Sequence, residues 1–388
     1  MDGMPRDADE QFRAEIRQWL EENLAGRFAD LRGRGGSGRE HEDFEARLEW
    51  NRHMAAAGWT CVAWPIEYGG RGLGIQQQVI FHEEYARAAA PARVNHLGEE
   101  LVGPTLIAYG TEEQKARFLP RIVAVEELWC QGYSEPGAGS DLAAVSTKAV
   151  LDGDEWSITG QKVWTSLAQQ ADWCFVIART VPGSVRHQGL SYLLVPMAQP
   201  GVEVRPILQL TATSEFNEVF FDGARTAAGN VVGGEGNGFK VAMATLGFER
   251  GVSTLAQQIA FRRELDVVIE TARRTGAIED AVIRDRLVRA RMELETIRQH
   301  ALRTLGGQQD DGASVAKLLW ANWHRSLGEL AMEVAGPDAL RVGSDYELDD
   351  LQTLFLFSRA DTIYGGSDEI QRNVIAERVL GLPREARP

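Results

Sequence analysis

A glycine-rich segment near the middle of the chain, GYSEPGAGSD at residues 132–141, has the composition of a ligand-binding turn. Gly137 and Gly139 would let the backbone approach a ligand closely, and Ser140 adds a hydroxyl. A run of free backbone N–H groups in such a turn can bind phosphate or the polar atoms of a ring. The same composition is typical of an ordinary turn between a helix and a strand, so this segment alone leaves both interpretations open.

A tryptophan stands beside two hydroxyl side chains in a second segment, GQKVWTS at residues 160–166. The indole of Trp164 offers a flat apolar wall to a planar ring such as a flavin. The hydroxyls of Thr165 and Ser166 can form hydrogen bonds with the nitrogens of such a ring. A core tryptophan at the end of a strand is the alternative, and it is the commoner role of any single Trp.

A third segment, GGSDEIQRN at residues 365–373, combines two glycines with the start of a predicted helix. Ser367 is a candidate N-cap, and Ile370 and Val374 lie one turn apart on the apolar side of that helix. The unpaired N–H groups behind the cap would suit an anionic or polar ligand. A simple cap without a ligand fits a Ser before Asp-Glu equally well.

The elements that must position these segments follow the order α, β, α. Phe12, Ile16 and Leu20 recur at helical spacing in the first third of the chain. TKAVLDGDEWSITG contains two β-like runs around Asp152-Gly153, a pair typical of hairpins, and further strand candidates follow. Long helices then return, and such paired helices often form a bundle shared between subunits. We predict an α+β fold with an N-terminal helical domain, a middle β-barrel or sandwich domain and a C-terminal helical bundle, at residues 1–124, 125–235 and 236–388.

Composition excludes several classes of protein. The formal net charge of −15 over 388 residues argues against nucleic acid as the main partner, because phosphate binding needs a basic face. No apolar run approaches the roughly 18 residues of a membrane span, and the first residues lack the apolar core of a signal peptide. Three widely spaced cysteines and seven scattered histidines suggest neither disulfides nor a metal site. We expect a cytoplasmic protein without a bound metal.

Five segments together resemble the acyl-CoA dehydrogenases, in the order of that family and almost from end to end. The resemblance implies a helical domain, a β domain and a helical bundle, with FAD held between subunits. It also implies removal of two hydrogens from the α and β carbons of an acyl-CoA thioester, and an electron-transfer flavoprotein or similar acceptor. The five segments are PIEYGGRGLG (65–74), YGTEEQKARFLPRI (109–122), GYSEPGAGSD (132–141), GQKVWTS (160–166) and YGGSDEIQRN (364–373).

The resemblance assigns roles to individual residues. Trp164 falls where the family flanks the isoalloxazine, and Ser166 and Ser134 fall where it forms hydrogen bonds with the flavin. The full set that it implies for the cofactor is Gln131, Tyr133, Ser134, Gly139, Ser140, Trp164, Ser166, Ser367 and Glu369. The set that it implies for the substrate is Ser140, Arg250, Tyr364 and Gly365.

The base for this reaction should be a carboxylate held dry enough to raise its pKa. Many relatives place it directly after the tyrosine of the last segment, but here that position is Gly365. The isovaleryl and long-chain enzymes place it on a helix of the C-terminal domain, in a pattern that ends Glu-Arg, which corresponds to Glu249 and Arg250. Ala242 and Leu246 share the helical face of Glu249. We therefore expect Glu249 to be the base, the alternative being a Glu salt-bridged at the bundle edge.

Two departures from the family pattern concern the part of the FAD site that a second subunit supplies. The region AFRRELDVVIETARRTG lacks the motif Arg-x-x-Phe-Gly, and Glu333 with a single Gly336 stands where relatives have Gln-x-x-Gly-Gly. Similar changes are known in paired subunits of actinobacterial steroid-side-chain dehydrogenases, which assemble as α2β2. We expect a homo- or hetero-oligomer, dimer or tetramer, acting in fatty acid or steroid catabolism. The alternatives are a non-catalytic or half-site subunit, and a flavin oxidase or monooxygenase of the same fold.

Overall fold

Five α-helices build the N-terminal part of the computed structural model, which describes residues 6–248, 253–305 and 312–384. The predicted apolar stripe of the first helix is confirmed, since Phe12, Ile16 and Leu20 are buried in one core cluster. The fifth helix begins at a capping box between Thr111 and Gln114. The helices are α1 (Arg6–Asn23), α2 (Phe44–Ala56), α3 (Ile75–Arg87), α4 (Gly103–Tyr109) and α5 (Glu112–Val123).

The middle of the chain forms one eight-stranded sheet. Its strands are β1 (Trp129–Gly132), β2 (Lys148–Asp152), β3 (Glu155–Ser166), β4 (Trp173–Arg179), β5 (Leu190–Pro196), β6 (Val202–Pro206), β7 (Phe216–Ala227) and β8 (Val231–Val232). The order across the sheet is β6-β7-β3-β2-β4-β5-β8, with β1 parallel to β4. The predicted hairpin is confirmed, because β2 and β3 are antiparallel and Asp152 pairs with Glu155.

Long helices return after the sheet. They are α6 (Gly238–Phe248), α7 (Ser253–Thr275), α8 (Ala281–Leu305), α9 (Gly312–Ala335), α10 (Asp350–Phe357) and α11 (Asp368–Val374). A Cβ at Gly238 would lie 2.3 Å from the Ser191 carbonyl carbon, so glycine lets α6 start directly against β5. Phe261, Leu294 and Trp323 share the core of α7, α8 and α9. The α+β architecture is therefore confirmed, and no helix within the described ranges is long and apolar enough to cross a membrane.

A buried ion pair joins the sheet to the glycine-rich segment. The fully buried Lys162 ammonium on β3 donates to Glu135 Oε1 at 2.8 Å and to the carbonyls of Tyr133 and Ile177 at 3.0 and 2.8 Å. Glu135 also accepts from the backbone N–H groups of Ser146 and Thr147 at 2.7 and 2.9 Å. These contacts tie β1, β3, β4 and the start of β2 together.

The carboxyl of this pair is held ionised against the cost of burial. Burial by itself raises the pKa of Glu135, but the Lys162 charge and the hydrogen bonds at the carboxylate overcome it and lower the pKa to about 2. Burial also lowers the pKa of Lys162, yet three acceptors match its three N–H donors. The lowered Glu135 pKa means that its stabilisation is present above about pH 4.5 and is lost as pH falls towards 2.

We expect Lys162→Met to reduce the free energy of unfolding by about 3–5 kcal/mol at pH 7, because it leaves a buried carboxylate without its partner charge. Urea unfolding followed by circular dichroism measures the change. Lys148→Met, at an exposed lysine on β2, is the matched control and should cost much less. Equal costs for the two variants would show that the buried pair does not stabilise the sheet.

Candidate active site

A β-bulge at the end of β3 turns Trp164 towards solvent. The β3–β7 register runs to Lys162 opposite Val219 and resumes at Thr165 opposite Asn217. Trp164 lies in the bulge with a left-handed φ of 60°, and it is 59% exposed. The alternative of a core tryptophan is therefore wrong. A left-handed backbone at a bulky residue is rare, and here it presents a flat indole at the surface of the sheet.

One of the two hydroxyls that the sequence places beside this indole points into the interior of the sheet domain. Thr165 is fully buried, and its Oγ1 has no hydrogen-bond partner in the part of the chain that the structure describes. Asn217 donates from Nδ2 to the Thr165 carbonyl at 3.0 Å, and its own Oδ1 lacks a partner among the same residues. Buried polar atoms without partners are uncommon and mark places where a ligand can complete the bonding. Asn217 is the residue of this pair that the sequence analysis did not single out, and no motif in the sequence indicated it.

The segment after β1 lies against this bulge. Val163 donates its N–H to the Ser134 carbonyl at 2.9 Å, which holds Ser134 beside Trp164. Tyr133 is buried, and Gln131 lies on β1 opposite Phe175. The structure thus brings Tyr133, Ser134, Trp164 and Ser166 together at one end of the sheet.

The glycine-rich turn is open rather than packed. Glu135 and Ala138 exchange two backbone hydrogen bonds of 3.0 Å, which closes a tight turn. A Cβ at Gly137 or Gly139 would meet no atom within 4 Å, and Gly139 and Ser140 are exposed. The backbone there is therefore accessible to a ligand.

A second group of predicted residues lies on the turn before α11. Gly365 and Gly366 have φ values of 62° and 90°, which glycine adopts without strain. Ser367 is the N-cap of α11, as predicted, and Glu369 is exposed in the first turn. A Cβ at Gly365 would lie 3.7 Å from Lys317 Nζ, so the turn leaves open the space where a side chain would otherwise stand.

The predicted base lies outside the described residues. Glu249 and Arg250 directly follow α6, whose last described residue is Phe248. Ala242 is buried and Leu246 packs against the same core, so the face of α6 that leads towards position 249 is the apolar one. The roles of Glu249 and Arg250, like the domain limits near residues 124 and 235, stay predictions.

An ionisable side chain that the sequence did not reveal lies behind the tryptophan. Glu215 precedes Phe216, and the Phe216 ring meets the Trp164 ring edge-on with centroids 6.2 Å apart. The backbone carbonyl of Glu215 accepts a hydrogen bond from the Leu167 N–H at 3.1 Å. Its carboxylate accepts from the backbone N–H of Glu40 at 2.9 Å. Glu215 is 6% exposed, and this burial is the main cause that raises its pKa to about 7.

The domain order and the residues at this end of the sheet together indicate a class of protein. An exposed indole, neighbouring hydroxyls and an open glycine turn fit a flat ring with polar edges, as in a flavin-dependent oxidoreductase. Sequence profiles then match over almost the whole chain: the N-terminal, middle and C-terminal domains of acyl-CoA dehydrogenase, at residues 6–126, 130–224 and 236–380. The chain belongs to the acyl-CoA dehydrogenase family and is an oxidoreductase of that family. The family is FAD-dependent, so FAD is the cofactor.

Individual relatives agree with this assignment. Acyl-CoA dehydrogenase IpdE1 of Mycobacterium tuberculosis strain H37Rv is 65% identical, over 97% of this chain and 99% of the relative. The solved structure named Tcur3481-Tcur3483 steroid ACAD is 30% identical, with a TM-score of 0.83, and covers 99% of this chain and 100% of its own. The ChsE4-ChsE5 complex from Mycobacterium tuberculosis is 30% identical with a TM-score of 0.82, over 99% and 100% of the chains.

We expect Glu215→Gln to change how stability depends on pH. The raised pKa means that the wild-type protein loses stability as pH rises from about 4.5 through about 7, by roughly 2–3 kcal/mol. The neutral amide should remove most of that loss, so the variant should be the more stable protein at pH 8.5. Urea unfolding at pH 5.5 and 8.5 measures this, with Glu218→Gln on the adjoining strand β7 as control. Parallel curves for wild type and Glu215→Gln would contradict the prediction.

Proposed function

We propose that this chain dehydrogenates an acyl-CoA thioester between its α and β carbons to give the trans-2-enoyl-CoA, with Glu249 as the α-proton base. The observation that carries the proposal is Gly365. It occupies the turn position at which many relatives have a carboxylate, and it offers no proton acceptor there. The alternative location of the base in the family is a helix of the C-terminal domain, in a sequence pattern that ends Glu-Arg, and in this sequence Glu249 and Arg250 match that pattern.

The residues around the sheet divide the remaining tasks. Bound FAD supplies a hydride acceptor, at N5 of the flavin. The Trp164 indole would lie along the ring, and the hydroxyls of Thr165 and Ser166 with Ser134 would bond its polar edge. Gln131, Tyr133, Gly139, Ser140, Ser367 and Glu369 are proposed as further cofactor contacts. Donors at the thioester carbonyl are required because negative charge develops on that oxygen as the α-proton leaves.

A cavity beyond the glycine turn supports a phosphorylated substrate. Its volume is about 410 Å³, and its lining includes Ser146, Lys148, Arg179 and Arg186. The Arg179 guanidinium donates hydrogen bonds to backbone carbonyls, among them Gln188 O at 3.0 Å and Val145 O at 3.2 Å. It therefore forms part of the cavity wall. Lys148 and Arg186 are exposed and supply positive charge in a chain of net charge −15. We assign this cavity to the phosphates of CoA, and we propose Ser140, which precedes the lining residue Asp141 in the sequence, as a further substrate contact.

A bulky, steroid-derived acyl group is the substrate class that we propose. Gly365 leaves volume free beside Tyr364, at the place where the reacting carbons are expected, and this space favours a branched or polycyclic group over a straight chain. The name of one solved relative, Tcur3481-Tcur3483 steroid ACAD, supports this choice.

The protein is proposed to act as an oligomer in the cytoplasm, with an electron-transfer flavoprotein or similar acceptor. Val282, Val288 and Met292 on α8 are exposed apolar side chains, and an apolar cavity of about 270 Å³ lies beside them. Such a surface is typical of a subunit contact. The segment at 260–276 lacks Arg-x-x-Phe-Gly, so we propose a heteromer in which the other chain supplies the missing FAD contacts. The name of the ChsE4-ChsE5 complex supports such pairing.

The same missing motif favours one other candidate, a subunit that completes the active site of its partner without binding FAD itself. The two readings differ in which chain holds the flavin next to Trp164. The next prediction separates them.

We expect Trp164→Ala to lose most bound FAD while the free energy of unfolding of the FAD-free protein changes by no more than about 0.5 kcal/mol, because the indole is exposed. The wild-type oligomer should be yellow and release FAD on denaturation, and the absorbance ratio of flavin to protein measures occupancy. Leu151→Ala, at an exposed apolar side chain on β2, should keep full occupancy. Unchanged FAD in Trp164→Ala would place the flavin elsewhere and favour the non-catalytic subunit.

We expect Glu249→Gln to slow anaerobic flavin reduction by at least about 10²–10⁴-fold, because the amide keeps the shape of the side chain but cannot take a proton. FAD content and acyl-CoA binding should survive. Stopped-flow bleaching with a panel of straight, branched and steroidal acyl-CoAs measures the rate. Glu235→Gln, at an exposed glutamate before α6, is the control for the same chemical change. Bleaching of Glu249→Gln at the wild-type rate would exclude Glu249 as the base.

A further inference from the structure

Four polar side chains form a continuous hydrogen-bonded series beneath the turn that carries Gly365. The His324 ring on α9 lies between two carboxylates, with Nδ1 at 2.5 Å from Asp361 Oδ2 and Nε2 at 2.8 Å from Glu264 Oε2 on α7. The other oxygen of Asp361 accepts from the Tyr364 hydroxyl at 2.6 Å. The series therefore runs from α7 through α9 to the residue next to Gly365.

Two carboxyl groups within hydrogen-bond distance of its two ring nitrogens favour an imidazolium at His324. A neutral imidazole has one N–H, so one of its two nitrogens would point a lone pair at a carboxylate oxygen less than 3 Å away. When both carboxyl groups are ionised, both contacts are favourable if both nitrogens carry a proton. The ring is buried, and Phe261 stacks on it with centroids 4.3 Å apart. Burial lowers the pKa of His324, but the Glu264 charge and the bond with Asp361 overcome this and raise it to about 9.

Asp361 is the point at which this series joins the turn. It is 1% exposed, and its backbone carbonyl accepts from Lys317 Nζ at 2.6 Å. The ring of Tyr364 lies 4.5 Å from the same ammonium group. Beyond Tyr364 the chain continues into two glycines with positive φ, which contribute little stiffness of their own. Asp361 therefore accepts the hydrogen bond that directs the Tyr364 hydroxyl, while the ring of Tyr364 also contacts Lys317 and Trp320.

We propose that His324 is a positioning residue for the acyl end of the substrate site: its doubly bonded imidazolium holds Asp361, and Asp361 holds the Tyr364 phenol beside the space left open by Gly365. This inference rests on the proposed function, since it assumes that the acyl group occupies that space. His324 touches neither substrate nor cofactor and acts through Asp361.

Substrate turnover is expected to have an upper pH limit that is set by His324. The ionisable groups that face the ring are Glu264 from α7 and Asp361 from the turn, while Lys317 and Tyr364 contact Asp361. Because the folded pKa of His324 is raised, the bonded state is present at neutral pH and is lost as pH rises through about 9. Loss of one ring proton leaves one carboxylate without a donor and weakens the hold of the ring on Asp361.

Glu264→Gln tests this without touching the turn, because it removes the distal negative charge from a side chain that is 39% exposed. The expected result is a fall of the His324 pKa by roughly 1–2 units, since an opposite charge at this distance is lost. Nitrogen-detected NMR of histidine rings in the assembled holoenzyme measures that pKa, with His324→Gln to identify the signal. The alkaline limit of kcat/KM, with an acyl-CoA that reduces the wild-type flavin, should fall by the same amount. Glu270→Gln, at an exposed glutamate on α7, should change neither.

Tyr364→Phe completes the experiment, because it removes the hydroxyl that links Asp361 to the acyl space. In this background Glu264→Gln should still lower the His324 pKa but should no longer shift the pH limit of kcat/KM. A neutral His324 ring at pH 7 in the wild type, or a pH limit that stays in place when the ring pKa falls, would overturn the inference alone. A wild-type holoenzyme whose flavin no acyl-CoA reduces would overturn the proposed function and with it the link to substrate.

Discussion

The buried pair of Lys162 and Glu135 is the constraint on which the cofactor end of this protein depends. One ammonium group bonds Glu135, the carbonyl of Tyr133 directly after β1 and the carbonyl of Ile177 on β4, while the carboxylate bonds the N–H of Thr147 directly before β2. Each charge would be costly inside the protein without the other, so the pair allows one arrangement of the strands around it. The glycine turn begins at Glu135, and its position relative to the sheet follows from that arrangement.

The position of the exposed Trp164 indole depends on β3, the strand that also carries Lys162. β3 carries Lys162 inward, and two residues later the bulge carries Trp164 outward, so the buried anchor and the exposed indole are separated by a single residue. A rigid anchor next to a strained backbone is the arrangement expected where a left-handed conformation must persist for binding. Thr165 lies between Trp164 and Ser166 and is buried. Its hydroxyl has no hydrogen-bond partner among the described residues.

The turn before α11, which is proposed to contact the acyl group, is held by a different set of interactions. A carboxylate on the turn before α11 would serve as base and would also stiffen the turn by its contacts. Gly365 has no side chain for either role. The turn is instead connected to α9 and α7 by the hydrogen-bonded series of Asp361, His324 and Glu264. In the proposed mechanism Glu249 is the base, so proton abstraction and the shape of the acyl space are assigned to separate parts of the chain.

The sequence by itself determined the features that depend on neighbours along the chain. Helical periodicity predicted the buried stripe of Phe12, Ile16 and Leu20, the pair Asp152-Gly153 predicted the β2–β3 hairpin, and Ser367 was recognisable as an N-cap, because spacing and cap chemistry act over a few residues. The resemblance of five segments identified the family and its cofactor. Only the tertiary structure decided that Trp164 faces outward, that Glu135 meets Lys162, and that His324 joins Glu264 to Asp361. These contacts link residues 27 to 60 positions apart, so they follow from strand register and helix packing and not from any local pattern.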